Sequence, residues 1–167
     1  MKVVQINGSP SGSTGNIAKA IHKQLLSQGD ESYVFYGIGR SSEKNFIRIG
    51  NYFSLHSHAV LSRNLGKQGY FSVGATVKLI RQLKKINPDI VHLHNVHGSY
   101  VNLPMLFGYL KKSGVQVVLT LHDCWLFTGK CPHFTAVGCH ALQTRRCWSG
   151  HCCLWKRFQK DMQEIKI

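Results

Sequence analysis

Acidic residues are scarce in this chain. Only 7 Asp and Glu stand against 21 Lys and Arg in 167 residues, which gives a formal net charge of +14. Such a charge favours polyanions, whether nucleic acid, anionic lipid head groups or phosphorylated substrates. No zinc-finger, RRM or KH signature and no ladder of basic and aromatic residues accompanies it, which argues against nucleic acid. We expect a solvated basic face or one that meets anionic membrane.

Long apolar runs are missing as well. The sequence has no stretch of about 18 apolar residues, so it predicts no transmembrane helix. The first apolar stretch, Val3 to Ile6, is too short for a secretory signal, and a cytoplasmic location is expected. The apolar share of 43% is typical of a globular protein, and the length suits one well-cored domain.

Cysteine is absent from the first 123 residues, and all six cysteines lie between Cys124 and Cys153. A secreted disulfide scaffold would spread its cysteines through the chain, so this clustering favours a metal-binding loop or reduced thiols. The candidate zinc ligands are Cys131, Cys139, Cys147 and Cys152 (or Cys153). Their spacings of x7, x7 and x4 are looser than the CxxC pairs of most zinc sites, so a structural zinc and reduced thiols both stay open.

Short apolar segments alternate with segments of helical periodicity. Strands are predicted at 2–6, 33–36, 90–93 and 115–121, and 37–51 is predicted as loop. Helices are predicted from the first glycine-rich turn to Gly29, at 52–66, from a Ser72 cap to Pro88, at 101–112 and at about 153–166. This alternation predicts an α/β fold with a doubly wound parallel sheet.

A glycine-rich turn, Gly8 to Gly15, connects the first strand to the first helix. Backbone N–H groups at such a helix start can bind phosphate oxygens. The spacing G-x3-G-x2-G matches neither the Walker A motif nor the dinucleotide fingerprint. A plain tight turn with Ser13 or Thr14 as N-cap is therefore an equal alternative.

Histidines gather where two predicted strands end. His92 and His94 would face the same side of their strand, where they could chelate a metal, although His92 also suits a hydrogen-bonded core position. His94, Asn95 and His97 follow that strand and are candidates for substrate contacts. His122 and Asp123 end the next strand, where Asp123 could orient His122, although neighbours in the sequence need not touch. Adjacent parallel strands present such ends to ligands.

The segments Pro88–Gly98 and Thr120–Gly129 resemble the N-terminal domain of glycosyltransferase family 4. They are most similar to bacterial enzymes that build exopolysaccharide, capsule or lipopolysaccharide. The resemblance runs from Met1 to about Cys139 and includes the turn Gly12 to Gly15. It implies the N-terminal half of a GT-B fold, in which this Rossmann-like domain holds the acceptor and a second domain holds the nucleotide-sugar.

The resemblance also implies roles for particular residues. Transfer would retain the anomeric configuration and need no metal cofactor, and the acceptor would be a glycan or a lipid-linked sugar. His122 would lie beside the transferred sugar as the catalytic residue. The remaining implied residues are Gly12, Ser13, Thr14 and Gly15 at the donor phosphates, and His94, Asn95, His97 and Asp123 on the acceptor side.

One departure from the family pattern concerns the paired glutamates, spaced E-x7-E, of the donor half. This sequence has only Glu31, Glu43 and Glu164, and none of these form such a pair. We expect a Rossmann-like acceptor-side domain at 1–130, a Cys-rich basic segment with a terminal helix at 131–167, and no donor domain. Little or no transferase activity is expected of this chain alone.

Two other functional classes stay open from the sequence. The turn Ile6 to Pro10, followed by Gly12 to Gly15, also resembles the phosphate loop of flavodoxin-like FMN-dependent reductases. The histidine-rich strand ends have no role in that family. The second class is a non-catalytic basic module for membrane or nucleic acid, which the charge alone would permit.

Overall fold

The computed structural model describes residues 1–65 and 67–128. The predicted terminal helix at 153–166 and the candidate zinc ligands Cys131, Cys139, Cys147 and Cys152 lie outside the described residues. The strands are β1 (Lys2–Asn7), β2 (Glu31–Tyr36), β3 (Phe46–Arg48), β4 (Ile90–Leu93) and β5 (Gln116–Leu119). The helices are α1 (Gly12–Ser27), α2 (Tyr52–Leu65), α3 (Val73–Ile86), α4 (Leu103–Ser113) and α5 (Trp125–Thr128).

The strands form one parallel sheet in the order β3-β2-β1-β4-β5. This is the order of the dinucleotide-binding Rossmann folds, whereas flavodoxin-like sheets place the second strand at the edge. Because β3 lies beyond β2 at the edge, this sheet has the Rossmann order and not the flavodoxin-like order. The predicted α/β class with a Rossmann-like parallel sheet is confirmed.

Both faces of the sheet are covered, and strand β1 shows how. Val4 and Ile6 are fully buried in the main apolar cluster, which also contains Leu79 of α3 and Leu106 of α4. Gln5 points to the opposite face, where its side chain contacts the backbone of α1. A strand covered on both sides is expected to be apolar almost throughout, which makes the buried Gln5 an exception with a specific partner.

Two local predictions are wrong, and a third is confirmed only in position. The segment 37–51 contains β3, whose Phe46 pairs with Val34 although three residues carry too little periodicity to be detected. Helix α1 has Ser11 at its N-cap position, not Ser13 or Thr14. Ser72 does precede α3, but it has a left-handed φ of 58° and makes no capping hydrogen bond with its side chain.

The other predicted strands and helices within the described residues are confirmed, with ends displaced by a few residues. In these residues no helix has the length and apolar character needed to cross a bilayer.

Candidate functional site

The segments that follow β4 and β5 lie side by side because the two strands pair in parallel register, with Leu93 beside Leu119. They enclose a shallow pocket with about 230 Å³ of empty space that is open to solvent. The histidines and polar residues predicted from the two sequence motifs all line it. They are His94, Asn95, His97, His122 and Asp123, joined by Thr120.

His94 lines the floor of the pocket and is almost completely buried. Its side chain is only 3% exposed, and both ring nitrogens have partners. Nδ1 lies 3.0 Å from Nε2 of His122, and Nε2 lies 3.1 Å from Oε1 of Gln5. Burial, and then the neighbouring His92 and His122, lower the pKa of His94 to about 3. His94 is therefore neutral at physiological pH and supports His122, which is only partly buried.

His92 faces the same side of β4 as His94, as the alternation predicts, with 4.0 Å between their ring centroids. Its Nε2 lies 2.7 Å from the Thr120 hydroxyl, and burial is the main cause that lowers its pKa. This hydrogen bond fits the core interpretation of His92. Among the residues that the structure describes, no group of three or more His, Cys, Asp or Glu could hold a metal ion.

Asp123 does not orient His122, contrary to the prediction. One carboxylate oxygen lies 2.7 Å from Nε2 of His97, and the other accepts a hydrogen bond of 2.9 Å from the backbone N–H of Trp125. The ring of His97 also packs against Trp125, with centroids 5.3 Å apart. Asp123 thus anchors the start of α5 and positions His97 at the pocket wall.

Asn7, at the end of β1, connects the glycine-rich turn to the pocket. Its Oδ1 accepts hydrogen bonds from the backbone N–H groups of Gly8, at 2.9 Å, and Asn95, at 3.4 Å. Its Nδ2 donates to the Ser9 carbonyl at 2.9 Å. The turn therefore lies at the same edge of the sheet as the histidines, one strand away.

The turn itself requires two of its glycines. Gly12 has a φ of +77°, which side-chain-bearing residues rarely adopt. A Cβ on Gly15 would lie 2.6 Å from the carbonyl carbon of Pro10, so no side chain fits there. Ser13 and Thr14 occupy the first turn of α1, and Thr14 accepts a long hydrogen bond of 3.4 Å from Asn7. None of these four residues lines the pocket described above.

Sequence reasoning missed four contributors to the site: Gln5, Asn7, Thr120 and Trp125. For Gln5 a signal existed, since a polar residue in the middle of a buried strand needs a hydrogen-bonding partner. The identity of that partner, 89 positions away in the sequence, was not predictable.

Comparison with known proteins identifies the family. Residues 14–160 match the family model described as Glycosyltransferase Family 4. The chain belongs to glycosyltransferase family 4. Its described sheet is the Rossmann-like, N-terminal half of the GT-B fold, as the resemblance implied. Family membership and strand order together decide against the flavodoxin-like alternative.

This family 4 chain is similar to a protein of Escherichia coli (strain K12) named "Putative colanic acid biosynthesis glycosyl transferase WcaC". The two are 27% identical over an alignment of 157 residues that covers 86% of this chain and 38% of that protein. The chain therefore spans well under half the length of this curated relative.

Proposed function

We propose that this chain supplies the acceptor side of a retaining glycosyltransferase in bacterial surface polysaccharide synthesis. The enzyme would transfer a sugar from a nucleotide-sugar to a glycan or lipid-linked acceptor. The observation that carries the proposal is the His94–His122 pair, which holds a partly exposed imidazole in a pocket beside the glycine-rich turn. The polysaccharide context is supported by the name of the Escherichia coli relative.

The chemistry of the site suits this role. A neutral imidazole at His122 can accept a hydrogen bond from a sugar hydroxyl, and His97 with its carboxylate partner can contact a second hydroxyl. The backbone N–H groups at Gly12 to Gly15 would face the donor diphosphate. Stabilisation of the transition state requires groups on both sides of the cleft, so we propose little transfer by this chain alone.

Glycan binding by the purified chain tests the proposal directly. Saturation-transfer difference NMR with a panel of neutral alkyl glycosides is expected to show binding that His122→Ala weakens by about tenfold, the loss of roughly one hydrogen bond. Gln82→Ala, on the exposed side of α3, serves as the control and should bind like wild type. An acceptor role would be contradicted if no glycoside in the panel bound, or if His122→Ala left the affinity unchanged.

The expected inactivity has its own assay. The purified chain is incubated with radiolabelled nucleotide-sugars and a bacterial lipid extract, and labelled products are counted after extraction. Counts at the level of a protein-free blank are expected. Multiple turnovers per molecule of chain would show that a second domain is not required.

We further propose that helix α2 contacts anionic membrane at the cytoplasmic face. Its Tyr52 and Phe53 side chains are 72% and 79% exposed, and Val60 and Leu65 are also exposed. No acidic residue occurs between Glu43 and Asp89 in the sequence. Exposed aromatic residues on a helix without negative charge suit insertion at an anionic lipid interface.

Vesicle co-sedimentation tests the membrane proposal. Vesicles of phosphatidylcholine with phosphatidylglycerol should bind the chain, with affinity that falls as salt rises, whereas pure phosphatidylcholine should bind it weakly. Phe53→Ser should reduce binding several-fold because it removes an inserted ring. Leu26→Ser, an exposed apolar residue of α1, is the matched control. Equal effects of the two substitutions would refute a specific role for α2.

A further inference from the structure

We infer that Gln5 is a positioning residue: acting through His94, it fixes the tautomer of His122, so that Nδ1 of His122 is the atom presented to a ligand. The function of that atom in binding sugar hydroxyls rests on the proposed function above. The tautomer itself follows from three contacts that connect α1 to the pocket, two of them buried and the third partly buried, and each contact determines the next.

The first contact sets the orientation of the Gln5 amide. Gln5 is fully buried, and its Nε2 donates to the backbone carbonyl of Ala18 at 3.0 Å. The opposite orientation would place two oxygen atoms against each other without a hydrogen between them, in a site that excludes water. The amide oxygen Oε1 therefore faces His94.

The second contact sets the tautomer of His94. Oε1 of Gln5 can only accept, so the proton on His94 resides on Nε2, 3.1 Å away. A second proton would create a positive charge in a buried position, with the ring of His92 at 4.0 Å and that of His122 at 5.3 Å between centroids. His94 therefore stays neutral, and its Nδ1 is a hydrogen-bond acceptor.

The third contact sets the tautomer of His122. Its Nε2 lies 3.0 Å from Nδ1 of His94, which has no proton, so Nε2 of His122 must donate. Neutral His122 then has its lone pair on Nδ1, for which the described residues provide no hydrogen-bond partner. This nitrogen accepts from a hydroxyl group of a ligand in the pocket. Without Gln5, the proton of His94 could move to Nδ1. His94 would then donate to Nε2 of His122, and the proton of His122 would lie on Nδ1.

Long-range proton–nitrogen NMR of the imidazoles tests the inference without any activity assay. In the wild-type chain at neutral pH, His94 and His122 should both show the Nε2–H tautomer. Gln5→Leu should give mixed tautomers at both rings. Gln5→Glu should restore Nε2–H, because its buried carboxyl stays protonated, donates to the Ala18 carbonyl and keeps an acceptor oxygen facing His94. Gln82→Leu, an exposed position of α3, should leave both rings unchanged. An Nδ1–H tautomer at His122 in the wild type would overturn the inference.

Glycoside binding separates this inference from the proposed function. Gln5→Leu should weaken binding of the neutral glycosides by about tenfold, as expected for loss of one hydrogen bond, and Gln5→Glu should recover most of it. Predicted tautomers without any glycoside binding would refute the proposed function and leave the role of Gln5 intact. Glycoside binding with unchanged tautomers in folded Gln5→Leu would refute the role of Gln5. Circular dichroism of each variant establishes that it is folded.

Discussion

At the scale of single residues, Gly37 and Tyr100 form a close contact that supports the site. Tyr100 is buried, and its hydroxyl donates to the Asn95 carbonyl at 2.7 Å, next to the pocket. A Cβ on Gly37 would lie 2.2 Å from Cγ of Tyr100. Gly37 is thus required for the space it leaves and not for an unusual φ. Burial raises the pKa of Tyr100, so the ring stays a neutral donor.

Gly37→Ala should therefore destabilise the fold by about 1–3 kcal/mol, because overpacking displaces a buried aromatic ring. Urea unfolding followed by tryptophan fluorescence measures the change. Gly108→Ala provides the control, since a Cβ there meets nothing within 4 Å and alanine favours a helix over glycine. If Gly108→Ala were as unstable as Gly37→Ala, or less stable, the effect could not be assigned to the contact with Tyr100.

At the scale of secondary-structure elements, Asn102 attaches the start of α4 to the rest of the domain. Its Oδ1 accepts from the backbone N–H of Met105 at 3.0 Å, as an N-cap does. Its Nδ2 donates to the Tyr70 carbonyl, and its backbone N–H donates to the Thr76 hydroxyl at 2.7 Å. Because α4 follows the pocket segment directly, this single side chain fixes where that segment ends.

Asn102→Ala should lower the free energy of unfolding by about 1–3 kcal/mol, since it removes both the cap and the hydrogen bond to the Tyr70 carbonyl. Asn102→Ser keeps a capping oxygen and loses the donor to Tyr70, so it should recover part of the loss. Urea denaturation of the three proteins gives the comparison. A stability of Asn102→Ala within error of wild type would show that the cap is unimportant here.

At the scale of the whole molecule, buried neutral histidines make stability depend on pH. His58 of α2 is fully buried against the segment before α3. Its Nδ1 lies 2.7 Å from the Ser72 hydroxyl, and its Nε2 accepts from the Gly69 N–H at 3.3 Å. Burial lowers its pKa from 6.5 to about 4. As pH falls below 6.5, the unfolded chain binds a proton that the folded chain does not, so stability decreases until about pH 4.

His58 alone should cost about 3 kcal/mol of folding stability between neutral pH and pH 4, since one unit of pKa corresponds to about 1.4 kcal/mol. Urea unfolding at a series of pH values should give a shallower acid slope for His58→Gln than for wild type. His56→Gln, at an exposed position of the same helix, should leave the slope nearly unchanged. Parallel slopes for His58→Gln and wild type would show that His58 does not titrate in this way.

The extent to which the fold could be predicted differed between elements. Strands β1 and β4 and helices α1 and α3 were predictable because several consecutive residues repeat the same apolar period. Strand β3 was not, since Phe46–Arg48 pairs only because Val34 of β2 lies beside it. The left-handed conformation of Ser72 could not be predicted either, since the partners of its hydroxyl, in His58, Ser54 and Ser99, are 14 to 27 positions away in the sequence.

The sequence by itself determined the fold class, the family, and five of the residues that gather around the pocket (His94, Asn95, His97, His122 and Asp123), because these follow from local periodicity and from motifs of contiguous residues. Only the tertiary structure decided their order in depth: His94 beneath His122, Asp123 paired with His97, and Gln5 behind both histidines. The physical reason is that hydrogen bonds between strands join residues 26 to 89 positions apart. No local sequence pattern shows that His94 becomes buried and His122 stays partly exposed when the two strands pair.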